Sequence, residues 1–300
     1  AKVEALNPGG SAKDRPARHM IERALADGRL KAGDTVVESS SGNMGIGLAQ
    51  ACAVHGLQFI CVVDPNAQSQ NVAIIRALGG QIELVDHAPD GDFLAARLDR
   101  VAKLLEEDSR RFWPNQYANL DNPESHELGT IAEIDAALGG QIDVLFVACS
   151  STGTARGCRD YLRRMGRKTK VVAVDAMGST LFNGTAGPRK ISGMGAGRIP
   201  ELAKGQEFDD LVRVSDVTCV AGCRRAVARE GLLVGGSGGG VLEAVRGMQD
   251  ELAGLTVAAI IHDSGSRYLG TVFDPEWVER ELGICEADVT ALAGLAPADS

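Results

Sequence analysis

Short apolar runs rich in β-branched residues alternate with segments of helical periodicity along this chain, and no other feature constrains its fold as strongly. Strands that alternate with helices predict parallel sheets covered by helices. The predicted strands are Lys2 to Leu6, Thr35 to Glu38, Gln58 to Val63, Gln81 to Val85, Asp143 to Cys149, Lys170 to Asp175, Leu211 to Val214 and Thr256 to His262. The predicted helices include Asn43 to His55, Phe93 to Glu107, Pro123 to Leu138 and Gly238 to Leu252. We therefore expect an α/β fold with two open, mostly parallel sheets and covering helices.

Length and charge limit the classes of protein that remain. A chain of 300 residues exceeds the usual size of one hydrophobic core, so two lobes are expected, with the site in a cleft between them. The net charge of −9 gives no basic footprint for nucleic acid or for an anionic membrane surface. No apolar run is long enough to span a bilayer. Neither nucleic acid nor a membrane is an expected partner.

The seven cysteines predict a reducing compartment. They lack paired metal-ligand spacing, and most lie within apolar runs. Cys219 and Cys223 share a helical pattern, but no second pair of ligands accompanies them. We expect buried, reduced thiols in a cytoplasmic protein, and no metal site.

A turn of small residues, Asn7 to Pro16, carries Lys13 directly ahead of a strongly helical segment. A lysine that reacts with a carbonyl group must be reached without steric cover, and neighbouring glycines allow that approach. The alternative is an ordinary helix entry in which Lys13 and Asp14 are solvated charges of the first turn.

Three loops that follow predicted strands are rich in hydroxyl, amide or glycine groups: residues 39–45, 150–154 and 235–240. The first suits a carboxylate and the second, which contains no acid, suits a phosphate, because each runs into the N-terminus of a helix. The third opens a helix near Val241 and suits an anion or the edge of a heteroaromatic ring. Each loop alone could simply cap a helix. Three of them with a lysine turn favour a ligand site.

Nucleotide binding is a less suitable interpretation of these loops. Neither a dinucleotide fingerprint after the first strand nor a phosphate-binding P-loop is present, and Gly193 to Gly197 does not follow a buried strand. Pyridoxal 5'-phosphate fits better, since a lysine can hold its aldehyde while a helix N-terminus holds its phosphate.

With these motifs, nearly the whole chain resembles the cysteine synthase and cystathionine β-synthase family of fold type II pyridoxal-phosphate enzymes. The matching segments are the lysine turn Asn7 to Arg15, the substrate-carboxylate loop Ser40 to Asn43, Gln116 with Asn122 to His126, the mouth loop Arg189 to Pro200, and Asp263 to Tyr268. The resemblance implies that Lys13 is the Schiff-base lysine and catalytic residue. It implies cofactor binding by Lys13, Asn43, Ser150, Ser151, Thr152, Gly153, Thr154 and Ser237. It implies substrate binding by Ser40, Ser41, Gly42, Asn43, Gln116, Gly193, Met194 and Arg198.

The implied activity is a β-replacement, in which a leaving group departs from Cβ of an amino acid, an aminoacrylate intermediate follows, and a nucleophile adds. Departures from cysteine synthases in residues 39–43, 88–94 and 150–154, and Arg198 where those enzymes commonly have Phe, resemble one branch of the family. That branch joins O-phospho-L-serine to L-glutamate, giving N-(2-amino-2-carboxyethyl)-L-glutamate, a precursor of 2,3-diaminopropionate for siderophores and peptide antibiotics. The alternatives are a cysteine synthase that uses O-acetylserine or O-phosphoserine with sulfide, and a non-catalytic ligand-binding relative.

The resemblance also implies the domain organisation. A small lobe of residues 20–117 would close on the substrate, and residues 1–19 with 118–300 would form a larger lobe that binds the cofactor. A homodimer is implied as well.

Overall fold

Two parallel sheets contain the nine strands among residues 1–295, the part of the chain that the computed structural model describes, apart from the side chain of Asp90. All neighbouring strands in both sheets are parallel, which confirms the predicted fold class. The strands are β1 Lys2–Val3, β2 Thr35–Glu38, β3 Gln58–Val63, β4 Gln81–Leu84, β5 Arg111–Phe112, β6 Val144–Ala148, β7 Lys170–Ala176, β8 Asp210–Val214 and β9 Val257–Ile261. The four-stranded sheet has the order β4-β3-β2-β5, and the five-stranded sheet has the order β1-β9-β6-β7-β8.

The connection from β7 to β8 contains two 3₁₀ turns, at Leu181–Asn183 and Glu201–Ala203, whereas every other pair of successive strands is joined through α-helices. The α-helices are α1 Asp14–Ala26, α2 Asn43–His55, α3 Ser69–Ala77, α4 Phe93–Glu107, α5 Asp121–Ser125, α6 Ile131–Ala137, α7 Gly153–Arg164, α8 Asp216–Glu230, α9 Gly236–Gly247, α10 Pro275–Leu282 and α11 Glu286–Leu292. None of these helices in the described part of the chain combines the length and apolarity needed to cross a bilayer.

The chain divides into two units, each with one sheet. We name the two units by their place in the sequence. The inner unit is residues 7–122, and the outer unit comprises residues 1–6 and the chain from residue 123 onward. The predicted lobe boundaries at residues 20 and 117 stay a prediction, and residues 296–300 of the predicted larger lobe lie outside the described residues.

Side chains on alternate strand positions fill two cores in each unit, because successive residues of a strand point to opposite faces. In the inner unit, Val36 packs with α1 and α2, whereas its neighbour Val37 packs with Val101 and Leu104 of α4. In the outer unit, Phe146 belongs to the core that includes residues of α8 and α9, and Leu145 belongs to the core that includes residues of α6 and α7. Both sheets are therefore covered on both faces.

Four predicted elements differ from the structure in type or by more than two residues. The helix predicted over Gly238 to Leu252 begins at Gly236 and ends at Gly247. The strand predicted over Lys2 to Leu6 ends at Val3, because only Lys2 and Val3 pair with β9 and a 3₁₀ turn follows at Glu4–Leu6. The helix predicted over Pro123 to Leu138 contains a π-helical turn at His126–Thr130 between α5 and α6. The glycine loop predicted over residues 235–240 is mostly helix, because α9 begins at Gly236.

The glycines at the start of α9 are explained by close packing. A Cβ on Gly239 would lie 2.3 Å from the carbonyl oxygen of Cys219 in α8, and a Cβ on Gly222 would lie 2.2 Å from the carbonyl oxygen of Gly239. Only residues without a side chain allow this approach of α8 and α9, so these glycines serve helix packing.

Six of the seven cysteines are buried free thiols, as expected, and Cys285 is exposed. Burial raises the pKa of Cys52, Cys61 and Cys223 to about 12, so these thiols stay protonated at neutral pH.

Candidate active site

The lysine turn at the start of α1 is held by hydrogen bonds of its own residues. Gly10 N donates to the carbonyl oxygen of Asn7 at 2.7 Å, and Gly10 has a φ of +77°, which favours glycine. Lys13 N donates to the hydroxyl of Ser11 at 3.2 Å, and Gly9 N donates to the carboxylate of Asp14. A Cβ on Gly9 would lie 2.5 Å from that carboxylate. The turn thus fixes the backbone of Lys13, which is partly buried at the N-terminus of α1.

Close packing of α1 against α2 brings Lys13 and Asn43 to adjoining helix starts. A Cβ on Gly47 of α2 would lie 3.0 Å from the carbonyl oxygen of Lys13 and 2.9 Å from Cβ of Ala17. Gly47 is one turn beyond Asn43, the first residue of α2. A glycine at this position therefore sets how closely the lysine turn approaches the N-terminus of α2.

The loop Ser40 to Gly42 joins the carboxyl end of β2 to that N-terminus. Ser40 is 8 % exposed, and its hydroxyl oxygen accepts from Gly45 N at 3.2 Å, which leaves the hydroxyl hydrogen able to donate. Asn71 of α3 donates to the carbonyl oxygen of Ser41 at 3.1 Å. Open space surrounds the position of a Cβ on Gly42. The loop offers hydroxyls and a helix N-terminus, which suit a carboxylate.

Glu38, the last residue of β2, connects this loop to the segment after β5. Its Oε1 accepts from Ser39 N and from Trp113 Nε1, each at 2.9 Å, and its Oε2 accepts from Gln116 N at 3.3 Å. Glu38 is 1 % exposed. Burial raises the pKa of its carboxyl above the ordinary value, although the hydrogen bonds from these donors act to lower it. The predicted residue Gln116, itself buried, is thus brought to the same sheet edge as Ser40 to Gly42.

A largely buried cation lies at the same edge. Arg97 of α4 has its Nε 3.1 Å from Oδ2 of Asp64, which follows β3, and the two side chains are 16 % and 9 % exposed. Burial raises the pKa of Tyr117, next to Gln116; the charge of Glu38 raises it further, and that of Arg97 lowers it. This edge of the sheet therefore carries the cation of Arg97, the protonated phenol of Tyr117 and the carboxyl group of Glu38, which accepts hydrogen bonds from backbone N–H groups and from an indole N–H.

In the outer unit, residues 150–152 join the carboxyl end of β6 to the N-terminus of α7. The hydroxyl of Ser150 donates to the carbonyl oxygen of Gly195 at 3.0 Å, and the hydroxyl oxygen of Ser151 accepts from Gly153 N at 3.5 Å. Thr152 has φ +66° and ψ −2°, a left-handed conformation that is rare for a β-branched residue. Holding it there costs about 1–3 kcal/mol and requires support from the surroundings.

The hydroxyl of Thr154, in the first turn of α7, is positioned by a buried histidine. Nε2 of His126 lies 3.2 Å from Oγ1 of Thr154, and Nδ1 lies 2.9 Å from Oγ1 of Thr130. His126 begins the π-helical turn, and such turns often occur at functional sites. A Cβ on Gly157 would lie 2.2 Å from the carbonyl oxygen of Pro123, so α7 packs tightly on this segment.

Ser237 is buried in the first turn of α9, with glycines around it that have no room for a side chain. A Cβ on Gly235 would lie 2.0 Å from Oδ1 of Asp263, and one on Gly236 would lie 2.4 Å from Cγ2 of Ile191. The structure brings Gly193 of the mouth loop near Ser237, since a Cβ on Gly193 would lie 3.9 Å from the Ser237 hydroxyl and would meet no other atom within 4 Å. Space is therefore open beside this hydroxyl.

The remaining mouth-loop residues have different environments. Met194 is buried, and its side chain reaches to 3.1 Å from the position of a Cβ on Gly240. Arg189 folds back over the loop, its Nη1 3.4 Å from the carbonyl oxygen of Met194. The ammonium of Lys190 pairs with Glu281 at 2.8 Å. Arg198 is exposed.

The donor set of the outer unit fits pyridoxal phosphate. Residues 150–154 supply hydroxyls and a helix N-terminus with no acid, which suits the phosphate. Open space beside the neutral hydroxyl of Ser237 suits a pyridine ring that carries no charge on its nitrogen. In the inner unit, the fixed turn of Lys13 suits the aldehyde. Each unit, taken by itself, therefore carries groups that fit one part of the cofactor, the outer unit its phosphate and ring and the inner unit its aldehyde.

The resemblance assigns Lys13, Ser40 to Asn43 and Gln116 to the predicted cofactor and substrate site, and all of these residues lie in the inner unit. Residues 150–154, Ser237 and Gly193 lie in the outer unit. Their individual roles stay predictions. Glu38, Arg97 and Gln206, whose amide contacts Thr152, were not predicted as site residues. Glu38 directly precedes the serine loop and could have been noticed, whereas no local signal marks Gln206.

The two sheets, the lysine turn and the acid-free anion loop define a pyridoxal-phosphate enzyme of fold type II. The chain belongs to the family described as pyridoxal-phosphate dependent enzymes, whose profile matches residues 1–263. This match confirms the cofactor and the prediction of a PLP-dependent enzyme, and the relatives below are in line with the predicted β-replacement type.

Two relatives carry the same name, N-(2-amino-2-carboxyethyl)-L-glutamate synthase. The protein from Ralstonia nicotianae is 44 % identical over 282 residues, 93 % of this chain and 83 % of the relative. The protein from Cupriavidus metallidurans is 42 % identical over 285 residues, 93 % of this chain and 84 % of the relative. Among solved structures, an O-ureido-L-serine synthase superposes with a TM-score of 0.85 at 33 % identity, covering 91 % of this chain and 86 % of that one. The predicted resemblance is confirmed.

Proposed function

We propose that this protein joins O-phospho-L-serine and L-glutamate to give N-(2-amino-2-carboxyethyl)-L-glutamate and inorganic phosphate. The observation that carries the proposal is the 42–44 % identity, over 93 % of the chain, to two proteins named for this product. In the reaction the Cβ–O bond of phosphoserine breaks, phosphate leaves, and a bond forms between Cβ and the amino nitrogen of glutamate. The proton lost by that nitrogen leaves with the phosphate, so no oxidant or reductant is needed.

Lys13 is proposed as the residue that moves the proton at Cα of the amino-acid substrate. Bound pyridoxal phosphate supplies the electron sink that makes this proton acidic and allows the group on Cβ to leave. The fixed turn from Gly9 to Asp14 holds the backbone of Lys13, so the flexible stem of its side chain provides the movement between taking and returning the proton.

Ser40, Ser41, Gly42, Asn43 and Gln116 are proposed to hold the α-carboxylate of the substrate. The Ser40 hydroxyl is suited to this role because its oxygen already accepts from Gly45 N, which leaves its hydrogen able to donate to a carboxylate. Glu38 supports the loop and Gln116 together. This arrangement binds and orients the substrate, so that the Cα proton faces the lysine.

Two cations fit the charge of the proposed substrates, because phosphoserine and glutamate together bring several negative groups. Arg198 on the mouth loop and Arg97 near Asp64 are proposed to bind their phosphate and side-chain carboxylate groups. Lys190, another cation of the mouth loop, is less suitable, because its single charged nitrogen pairs with Glu281, whereas the guanidinium of Arg97 has three nitrogens, of which Nε is the one paired with Asp64. The neutral hydroxyl of Ser237 is proposed to face the pyridine nitrogen, which keeps the ring a moderate electron sink suited to elimination at Cβ.

The decisive experiment is a product assay with O-phospho-L-serine and L-glutamate, followed by mass spectrometry and by a phosphate assay. We expect one equivalent of phosphate per molecule of the joined product. Phosphate release without the joined product, or no reaction, would overturn the proposal. D-glutamate serves as the control for recognition of the nucleophile.

A cysteine synthase activity is the second candidate, because the same fold at 33 % identity carries an O-ureido-L-serine synthase and therefore accepts different nucleophiles. Sulfide and glutamate offered in competition, with O-phospho-L-serine and then with O-acetyl-L-serine, distinguish the two. Cysteine as the main product from both donors would favour the second candidate. No turnover of any pair would favour the non-catalytic relative.

We also propose that the protein is a homodimer in the cytoplasm and that its product serves siderophore or peptide-antibiotic biosynthesis. The cysteine pattern and the family resemblance support these proposals. Light scattering during size-exclusion chromatography tests the dimer, and a mass of about 31 kDa would exclude it.

A further inference from the structure

The left-handed conformation of Thr152 has a specific partner. Among the described residues, the non-glycine positions with positive φ are Asn115, Thr152, Phe182 and Asn183, and Thr152 is the β-branched one. Its side chain is 2 % exposed, and its Oγ1 lies 2.9 Å from Nε2 of Gln206. Gln206 is 54 residues further along the chain and is 9 % exposed.

The orientation of the Gln206 amide follows from its second neighbour. The same Nε2 donates to the carbonyl oxygen of Leu202. A carbonyl oxygen can only accept, so the amide group that faces both Leu202 and Thr152 is the NH₂ and not the oxygen. Arg156 of α7 donates to the same carbonyl oxygen at 3.3 Å, which holds it in place.

This orientation fixes the polarity of the Thr152 hydroxyl. Its oxygen accepts from Gln206, so the hydroxyl hydrogen must be directed to a different acceptor. Thr152 immediately precedes α7, where backbone N–H groups of the first turn favour an anion. An anion at this helix N-terminus is an acceptor of the required kind.

A buried polar atom of Gln206 independently indicates that the contact between Gln206 and Thr152 does more than fill space. Oε1 of Gln206 is buried and has no hydrogen-bond partner among residues 1–295. A buried amide oxygen without a donor is costly, and a methionine of similar length would avoid that cost. We therefore attribute the presence of an amide at this position to the hydrogen bonds that its NH₂ group donates.

We infer that Gln206 is a positioning residue for the cofactor's phosphate: its NH₂ holds Thr152 in the left-handed conformation and turns the Thr152 hydroxyl into a donor toward that phosphate. The inference rests on the proposed role of residues 150–154 and not on the choice of substrates. It explains how the hydroxyl of Thr152, already one of the predicted cofactor contacts, is directed toward the phosphate by a residue outside the loop.

The test compares binding of pyridoxal 5'-phosphate and of pyridoxal, which lacks the phosphate, to the apo form of the full chain. Gln206→Met should weaken binding of the phosphorylated compound about tenfold or more, since one charge-assisted hydrogen bond is lost, and should leave pyridoxal binding unchanged. Gln206→Glu should weaken it further, because a carboxylate would accept from Thr152 and repel the phosphate. The ³¹P resonance of the bound cofactor should shift in both variants.

Two controls separate positioning from loss of structure. In Thr152→Gly, which adopts the left-handed conformation without strain and has no hydroxyl, Gln206→Met should have no further effect on binding. Gln58→Met removes the matched but exposed hydrogen bond from Thr35 to Gln58, 3.3 Å in length, and should change nothing. An equal loss for both compounds, or a loss that persists in the Thr152→Gly background, would overturn the inference.

Binding by the wild-type protein shows whether a negative result concerns the role of Gln206 or the proposed phosphate site at residues 150–154. If the wild type binds pyridoxal as tightly as pyridoxal phosphate, residues 150–154 are not the phosphate cradle, whatever Gln206 does. If the wild type binds pyridoxal phosphate more tightly than pyridoxal, and Gln206→Met does so by the same factor, only the proposed role of Gln206 is wrong.

Discussion

Oε2 of Glu38 lies 3.3 Å from the backbone nitrogen of Gln116, and this hydrogen bond joins residues 78 positions apart in the sequence. The other carboxylate oxygen accepts from Ser39 N and from Trp113 Nε1. One buried acid therefore fixes both segments proposed to hold the substrate carboxylate. Because all of these partners are donors, the carboxylate cannot be replaced by an amide without leaving an N–H group facing another N–H group.

We expect Glu38→Gln to raise the KM for the amino-acid substrate about tenfold or more and to leave cofactor absorbance unchanged. The physical reason is an unsatisfied buried donor, worth about 1–3 kcal/mol, next to the carboxylate loop. Steady-state kinetics with titration of the cofactor measure both quantities. Glu83→Gln is the matched control, since Glu83 lies in β4, has a side chain that is 37 % exposed and pairs with Arg100 at 2.7 Å. Equal effects of the two substitutions would contradict the role of Glu38.

The pH dependence of stability should also change in Glu38→Gln. Burial raises the pKa of the Glu38 carboxyl in the folded protein above its ordinary value of 4.5, so the folded state binds this proton more tightly than the unfolded state. Stability from this group is therefore largest below about 4.5 and is lost as the pH rises through the raised pKa. The Tm of the wild type minus the Tm of the variant should therefore fall as the pH rises above about 4.5. A constant or rising difference would show that the pKa is not raised.

Reduction of the cofactor-loaded protein with borohydride should attach the cofactor to Lys13. Peptide mapping by mass spectrometry locates the modified residue. Lys13→Ala should lower turnover by at least about 10²-fold, the contribution typical of one group that transfers protons. Lys31→Ala, which removes an exposed lysine from the same unit, should retain both labelling and activity. Labelling at any other lysine would reject the proposed role of Lys13.

Local patterns predicted the elements whose boundaries depend on local forces. β2, β3, α2 and α4 begin and end where apolar β-branched runs and helical periodicity predict. The lysine turn and the serine loop were found because their residue types carry the chemistry themselves.

Features that depend on distant contacts could not be predicted in this way. Gln206 acts on a residue 54 positions earlier, and the role of Glu38 depends on a partner 78 positions later. The glycines after Gly235 suggested a loop, yet all of those in residues 236–240 lie in α9. They are needed because other parts of the chain, α8 among them, pack against them, and not for conformational freedom. A one-dimensional pattern shows that a glycine is needed but not which atom would meet its side chain.

Gly47→Ala should disturb the site although its helix propensity improves. Alanine gains about 1 kcal/mol in a helix interior, but its Cβ would lie 3.0 Å from the carbonyl oxygen of Lys13. Overpacking of this kind costs about 1–3 kcal/mol, and the neighbour that must move carries the proposed catalytic lysine. We expect kcat to fall at least about tenfold with little change in Tm. Gly247→Ala, at the end of α9 where a Cβ meets nothing within 4 Å, is the control and should keep wild-type kcat.

Arg198→Ala should weaken the use of O-phospho-L-serine or L-glutamate far more than it weakens cofactor binding. An arginine that binds a phosphate or carboxylate through charge-assisted hydrogen bonds contributes about 1.5–3 kcal/mol, so a rise of about tenfold to a hundredfold in one KM is expected. The two KM values, measured separately with the other substrate saturating, show which anionic group Arg198 binds. Lys190→Ala is the matched control, because it removes a cation of the same loop whose ammonium pairs with Glu281 at 2.8 Å. Its loss should leave both KM values unchanged. If Arg198→Ala also leaves both unchanged, Arg198 does not contact either substrate, and Arg97 becomes the cation to test for the phosphate.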